Sequence, residues 1–144
     1  MSDNQESTQD DPRNILEGIE DMCEKAGCLK EVGPDFYRAV LELPDLEMTE
    51  VIFDLVRHQS GYLKKRILKD GEPAATHFIQ NMLHLVISGH IAFDEYGRIA
   101  FLKPVGPKPT TEMQRELDKR IENLEPLITD IIRKVLPPDL ATEA

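Results

Sequence analysis

Along most of this chain apolar side chains recur every three or four residues, and in one short stretch they alternate instead. Ile15, Leu16, Ile19, Met22, Cys23 and Ala26 share one side of a repeat whose other side holds Glu17, Glu20, Asp21 and Glu24. That pattern predicts an acidic amphipathic helix from about Asn14, stopped by Gly27. Phe36, Val40 and Leu41 mark a short helix from Asp35 to Leu43, closed by Pro44, whose ring disfavours helix in the residue before it. A third helix starts near Asp45 and carries Met48, Ile52, Phe53, Leu55 and Val56 to about His58. Ser60-Gly61 then offers a break before Tyr62, Leu63, Ile67 and Leu68, which accompany Lys64, Lys65, Arg66 and Lys69 on a short basic helix.

The turn Asp70-Gly71-Glu72-Pro73 delivers proline to the first position of a new helix, where its missing N–H has no intrahelical partner to lose. From Pro73 to Ser88 this helix has an apolar face of Phe78, Ile79, Met82, Leu83, Val86 and Ile87. Thr76, His77, Gln80, Asn81 and His84 make its polar face, and Ser88-Gly89 caps its end. The period then drops to two. Ile91 and Phe93 alternate inward, Asp94-Glu95-Tyr96-Gly97 forms a loop, and Ile99 and Phe101 return, which predicts a β-hairpin. Pro104 ends it, and residues 104–110 read as an extended linker because proline and glycine interrupt both regular structures.

Thr111 and Gln114 have the spacing of a capping box, after which Leu117, Ile121, Leu124, Ile128, Ile131 and Val135 step by four and three. In heptad register Ile121, Ile128 and Val135 fall at a, and Leu117, Leu124 and Ile131 at d. This arrangement favours a parallel two-stranded coil, with Arg120 and Glu125 placed to pair across it. The expectation is a homodimer formed by a C-terminal helix over 111–136. Pro126 requires either a kink or a second helix beginning near it, and Leu127 and Ile132 widen the stripe enough to pack on the protein's own core.

With 144 residues, 40% of them apolar, the chain suits one domain with tails. Residues 13–103 form the expected domain, 1–12 an acidic, disordered tail and 137–144 a second tail. The core is expected to comprise Ile52, Phe53, Val56, Phe78, Ile79, Met82, Leu83, Val86, Ile91, Phe93, Ile99 and Phe101. The net charge of −10 is uneven: residues 1–56 hold 4 basic and 15 acidic side chains, whereas Arg57 to Lys69 hold five basic and no acidic ones. Such a chain is repelled by phosphate at long range, but its basic segment can still dock locally. Cys23 and Cys28 have a spacing that suits neither a zinc knuckle nor a disulfide framework, so reduced thiols are expected. No window is apolar enough to cross a bilayer and the N-terminal residues lack the pattern of a secretory signal, so a cytoplasmic protein without membrane contact is expected.

Catalytic chemistry has little to stand on. His77 and His84 are seven apart and His90 follows, but no carboxylate or thiolate completes a metal site at a familiar spacing. There is no phosphate-cradling glycine loop and no nucleophile elbow. The expectation is no enzyme, no metal and no cofactor.

The succession of short helix, basic helix, turn, amphipathic helix and hairpin over residues 45 to 103 resembles the winged helix-turn-helix superfamily. The resemblance rests on Leu83-His84-Leu85-Val86-Ile87-Ser88-Gly89-His90-Ile91 running into Asp94-Glu95-Tyr96-Gly97-Arg98, as a recognition helix runs into its wing. It implies a mainly α fold in which the 73–88 helix enters the major groove of double-stranded DNA, with Thr76, His77, Gln80, Asn81 and His84 reading bases. Arg57, Lys64, Lys65, Arg66, Lys69 and Arg98 would hold phosphates, and the C-terminal pair would present two units to a pseudo-palindromic site, as in a transcriptional regulator. Each feature also has a plain explanation, since neutral and basic helix faces are everyday solvated surfaces. Asp94 and Glu95 at the wing tip fit the other use of such scaffolds, an adaptor whose acidic surface, including Glu17, Glu20, Asp21 and Glu24, docks a protein partner.

Overall fold

The computed structural model describes residues 12–93 and 98–136. Of the expected tails over 1–12 and 137–144, residues 1–11 and 137–144 lie outside the described residues, as does the loop Asp94–Gly97, whereas Pro12 already belongs to the first helix. Among those described, the chain is mainly helical, with seven helices and 70% helix. In chain order the elements are α1 (Pro12–Glu24), β1 (Leu29–Glu31), α2 (Pro34–Leu41), α3 (Asp45–His58), α4 (Ser60–Asp70) and α5 (Glu72–Ile87). They are followed by β2 (Ile91–Phe93), β3 (Ile99–Phe101), β4 (Lys103–Val105), α6 (Thr111–Asn123) and α7 (Glu125–Val135).

Helix α5 is the axis of the fold. Its Ala75, Phe78, Ile79, Met82 and Leu83 are buried against Ile52, Leu55 and Val56 of α3, Leu63 of α4, Leu117 and Ile121 of α6, and Ile128, Ile131 and Ile132 of α7. Full burial of each such side chain is worth about 1.5–3 kcal/mol, so the C-terminal helices are a substantial part of the core. Most of the expected core is buried or packed against it, including Phe53, Val86, Ile99 and Phe101 at its margin.

Four differences from the sequence expectation concern this C-terminal region. The segment 111–136 is two helices: α6 ends at Asn123, Leu124 makes the joint, and Pro126 sits in the first turn of α7, where its missing donor costs nothing. The heptad positions Leu117, Ile121, Leu124, Ile128 and Ile131 are buried within the chain itself, with Val135 packed at the edge. They are therefore not a free pairing surface, because the wide apolar stripe is spent on α3 and α5. Arg120 likewise does not wait for a partner's Glu125. Its guanidinium donates to Val40 O at 2.6 Å, to Leu41 O at 2.7 Å and to Leu43 O, closing the C-terminal end of α2, where carbonyls lack intrahelical donors. The cap of α6 is also one residue earlier than the capping box predicts: Thr110 Oγ1 accepts from Met113 N at 3.2 Å, and the Gln114 amide turns to Asp118.

The expected linker begins as structure. β3 and β4 run on through Leu102; β3 pairs antiparallel with β2, as the alternation predicts, while β4 pairs parallel with β1, an element with too few residues to announce itself. Lys103 N donates to Cys28 O at 2.9 Å and Val32 N to Val105 O at 2.8 Å, so Pro104 lies within a ladder. Two glycines clamp this crossing. Gly89 (φ 84°) ends α5 with His90 N bonded back to Leu85 O, and a Cβ there would stand 2.5 Å from Val32 Cγ1. At Gly106 (φ 119°) a Cβ would meet Val32 O at 2.1 Å, so only glycine lets the two passes of chain approach so closely.

Candidate functional site: a polar trough along helix α5

The polar side of α5 begins with a residue that faces inward. Thr76 is 2% exposed, and its hydroxyl shares a 2.9 Å hydrogen bond with Thr129 of α7, so this residue leaves the base-reading set: its only polar atom is used inside the protein. Gln80 is half-buried, with its amide donating to Ile121 O of α6 at 3.3 Å. His77 is exposed, and Asn81 and His84 are half-buried. These four line an open groove together with Asp118, Ile121 and Glu122 of α6 and Glu125 of α7. His84 Nδ1 stands 3.6 Å from Asp118 Oδ1, and that carboxylate is oriented in turn by Gln114 Nε2 at 2.8 Å.

The groove continues past Asn81 and His84 to Leu85, Ser88 and His90, where Glu20 of α1 and Gln114 of α6 form the walls. At this end Ser88 Oγ and His90 Nδ1 are 2.6 Å apart, and Cys23 Sγ donates to His90 O at 3.1 Å, which ties α1 to the turn after α5. Burial pushes the Cys23 thiol above its ordinary pKa. The result is a trough with imidazoles and amides on its floor and the carboxylates Glu20, Asp118, Glu122 and Glu125 along its sides. No group among the described residues gathers three His, Cys, Asp or Glu side chains in metal-binding geometry.

Sequence reasoning identified the floor and missed the walls. Asp118, Glu122 and Glu125 step by four and three residues, so one acidic face on the last segment was visible; its position beside α5 was not, because that depends on how α6 folds back. The basic set divides differently. Arg57, Lys65 and Lys69 are exposed and Lys64 is half-buried, whereas Arg66 is only 14% exposed and pairs with Asp70 at 2.8 Å. Arg98 is exposed, immediately after the undescribed loop. No described helix is long and apolar enough to cross a membrane.

Comparison of the chain with protein families, curated proteins and solved structures finds no match.

Proposed function

We propose that the protein is a docking module on a winged-helix-like scaffold, and that the trough along α5 takes a cationic segment of a protein partner. The observation that carries this reading is the row of carboxylates Asp118, Glu122 and Glu125 beside His77, Asn81 and His84. A nucleic-acid backbone entering there would bring phosphate against carboxylate, which costs several kcal/mol for like charges in close contact, whereas a lysine or arginine side chain finds acceptors on both sides. The scaffold reading draws on α5 passing through the Gly89 cap directly into the β2–β3 hairpin.

A second reading, double-stranded DNA held through α4, is favoured by the exposure of Lys65 and Lys69 on one turn-spaced face. One experiment separates the two. The full chain is titrated with a labelled arginine- and lysine-rich peptide and with mixed duplex DNA at low and moderate salt. The same is done with a trough variant (Asp118→Asn, Glu122→Gln, Glu125→Gln) and an α4 variant (Lys64→Gln, Lys65→Gln, Lys69→Gln). The docking reading expects peptide binding that the trough variant weakens by about tenfold or more and the α4 variant leaves alone. Salt-sensitive DNA binding abolished only by the α4 variant replaces it with the DNA reading.

A further inference from the structure

The trough holds two kinds of titratable group, and the docking reading uses only one of them. Its middle hollow is lined by three carboxylates, Asp118 and Glu122 of α6 and Glu125 of α7, and by two imidazoles, His77 and His84 of α5. His84 Nδ1 lies 3.6 Å from Asp118 Oδ1, and the two side chains are 42% and 52% exposed, so the pair is open to protons and to a ligand alike. Among the described residues, no side-chain hydrogen bond or ion pair engages His77, Glu122 or Glu125. Toward α1 the trough meets Glu20 and His90, whose Nδ1 is 2.6 Å from Ser88 Oγ. Beyond Glu125 it meets Arg133 of α7, whose guanidinium is held in a fork by the Glu72 carboxylate and so brings little net charge. Helices α3 and α4 contribute no lining residue to these hollows.

We infer that mild acid releases the docked segment, because protonated His77 and His84 take over the carboxylates that would otherwise hold the partner's cations. This rests on the trough taking a cationic segment. With neutral imidazoles the middle hollow carries three negative charges and no positive one, and two imidazolium groups reduce its net charge from −3 to −1. Two effects then act together. The His84 imidazolium closes on Asp118 and uses an acceptor that the partner's lysine or arginine needs. The new positive charges also repel the partner's cations at short range. Imidazole is the side chain suited to this role, since its ordinary charge change falls between about pH 5 and 8, where lysine and arginine stay charged. By linkage, a bound cation disfavours the imidazolium forms, so docking near the middle of that range expels protons into solution.

The test is calorimetric titration of the full chain with the arginine- and lysine-rich peptide in low salt at about pH 7.5, 6.5 and 5.5. At the middle pH it is repeated in buffers of different ionisation enthalpy, which counts the protons released. The expected result is an affinity about tenfold lower at the acid end, with net proton release at the middle pH. In His77→Gln with His84→Gln the ratio between the two ends should shrink to about twofold, and the proton release should fall close to zero, whatever the variant's absolute affinity. His77→Gln alone, at an exposed position, should remove part of the decline and keeps the test decisive if the double variant folds poorly. Peptide binding of equal affinity at both ends would overturn the inference, as would a decline that survives in the double variant or that follows a loss of helical circular dichroism. Absence of peptide binding even at the neutral end would instead overturn the docking reading beneath it.

Discussion

Helices α4 and α5 are consecutive, joined by the single residue Gly71, and they meet solvent in opposite ways. α4 lies at the margin, with Leu63 buried and Lys65, Leu68 and Lys69 exposed, so its polar character is a surface property of the folded molecule. α5 is enclosed by α3, α4, α6 and α7, so its polar residues are partly enlisted inside: Thr76 to Thr129 and Gln80 to Ile121. The contrast teaches that a helix face reads as a binding surface only after the rest of the chain has been placed. For α5 the decisive elements arrive some 40 residues later, and they bring carboxylates with them.

The sharpest way to break this comparison is to remove what covers α5. Ile128→Ala, at a fully buried position of α7, should cost about 2–5 kcal/mol, the usual price of a large-to-small change in a core. Because its neighbours belong to the same chain, the urea midpoint of the parent and of the variant should be the same at high and low protein concentration. A midpoint that rises with concentration would mean that the heptad positions are shared between chains, and the enclosure of α5 would then be intermolecular.

Next in size is the tie between α6 and the end of α2. Arg120→Ala removes a largely buried guanidinium from three carbonyls and should lower stability by about 2–3 kcal/mol in urea unfolding. Arg120→Lys should recover only part of that, because an ammonium cannot span the same fork of acceptors. Full recovery with lysine would reduce the contact to simple charge and leave α2 less dependent on α6 than the geometry implies.

The elements themselves were largely legible. The 45–58 helix, the basic helix after it, the proline-started α5 and the hairpin all follow from local spacing and turn chemistry, which neighbouring residues determine. The β1–β4 ladder was not legible, since three residues without alternation leave no period, and its partner strand contains Pro104. The heptad pattern of α6 and α7 was legible as apolar, but a stripe widened by Leu127 and Ile132 is silent about which surface it will meet. In the site, His77, Asn81 and His84 could be named from the polar face of α5. The inward turn of Thr76 and the arrival of Asp118 could not, because both depend on tertiary packing between residues far apart in the chain.

The Thr76–Thr129 hydrogen bond gives a smaller test of α5's enclosed side. Thr76→Val alone should cost about 1–2 kcal/mol by leaving the Thr129 hydroxyl without its partner, while Thr76→Val with Thr129→Val should return close to the parent. The double-mutant cycle measures this directly. Additive losses would show that the two hydroxyls do not interact and that Thr76 is more accessible than its burial indicates.

The smallest effect concerns the two thiols. Cys23 is buried and bonded to His90 O, and burial raises its pKa; Cys28, five residues on, is exposed. A thiol reagent at neutral pH should therefore modify Cys28 first and leave Cys23 intact until the protein opens, which mass spectrometry of the labelled chain checks. The raised pKa also gives stability a sign with pH. Below the unfolded thiol's pKa, about 8.5, both states keep the proton and the full contribution is present. As pH rises from there through the folded value, the unfolded chain ionises first and stability falls. Cys23→Ala should flatten that alkaline decline relative to the parent, whereas Cys28→Ala should not. If both variants declined alike, the thiol would not be sheltered, and α1 would not be closing the far end of the trough.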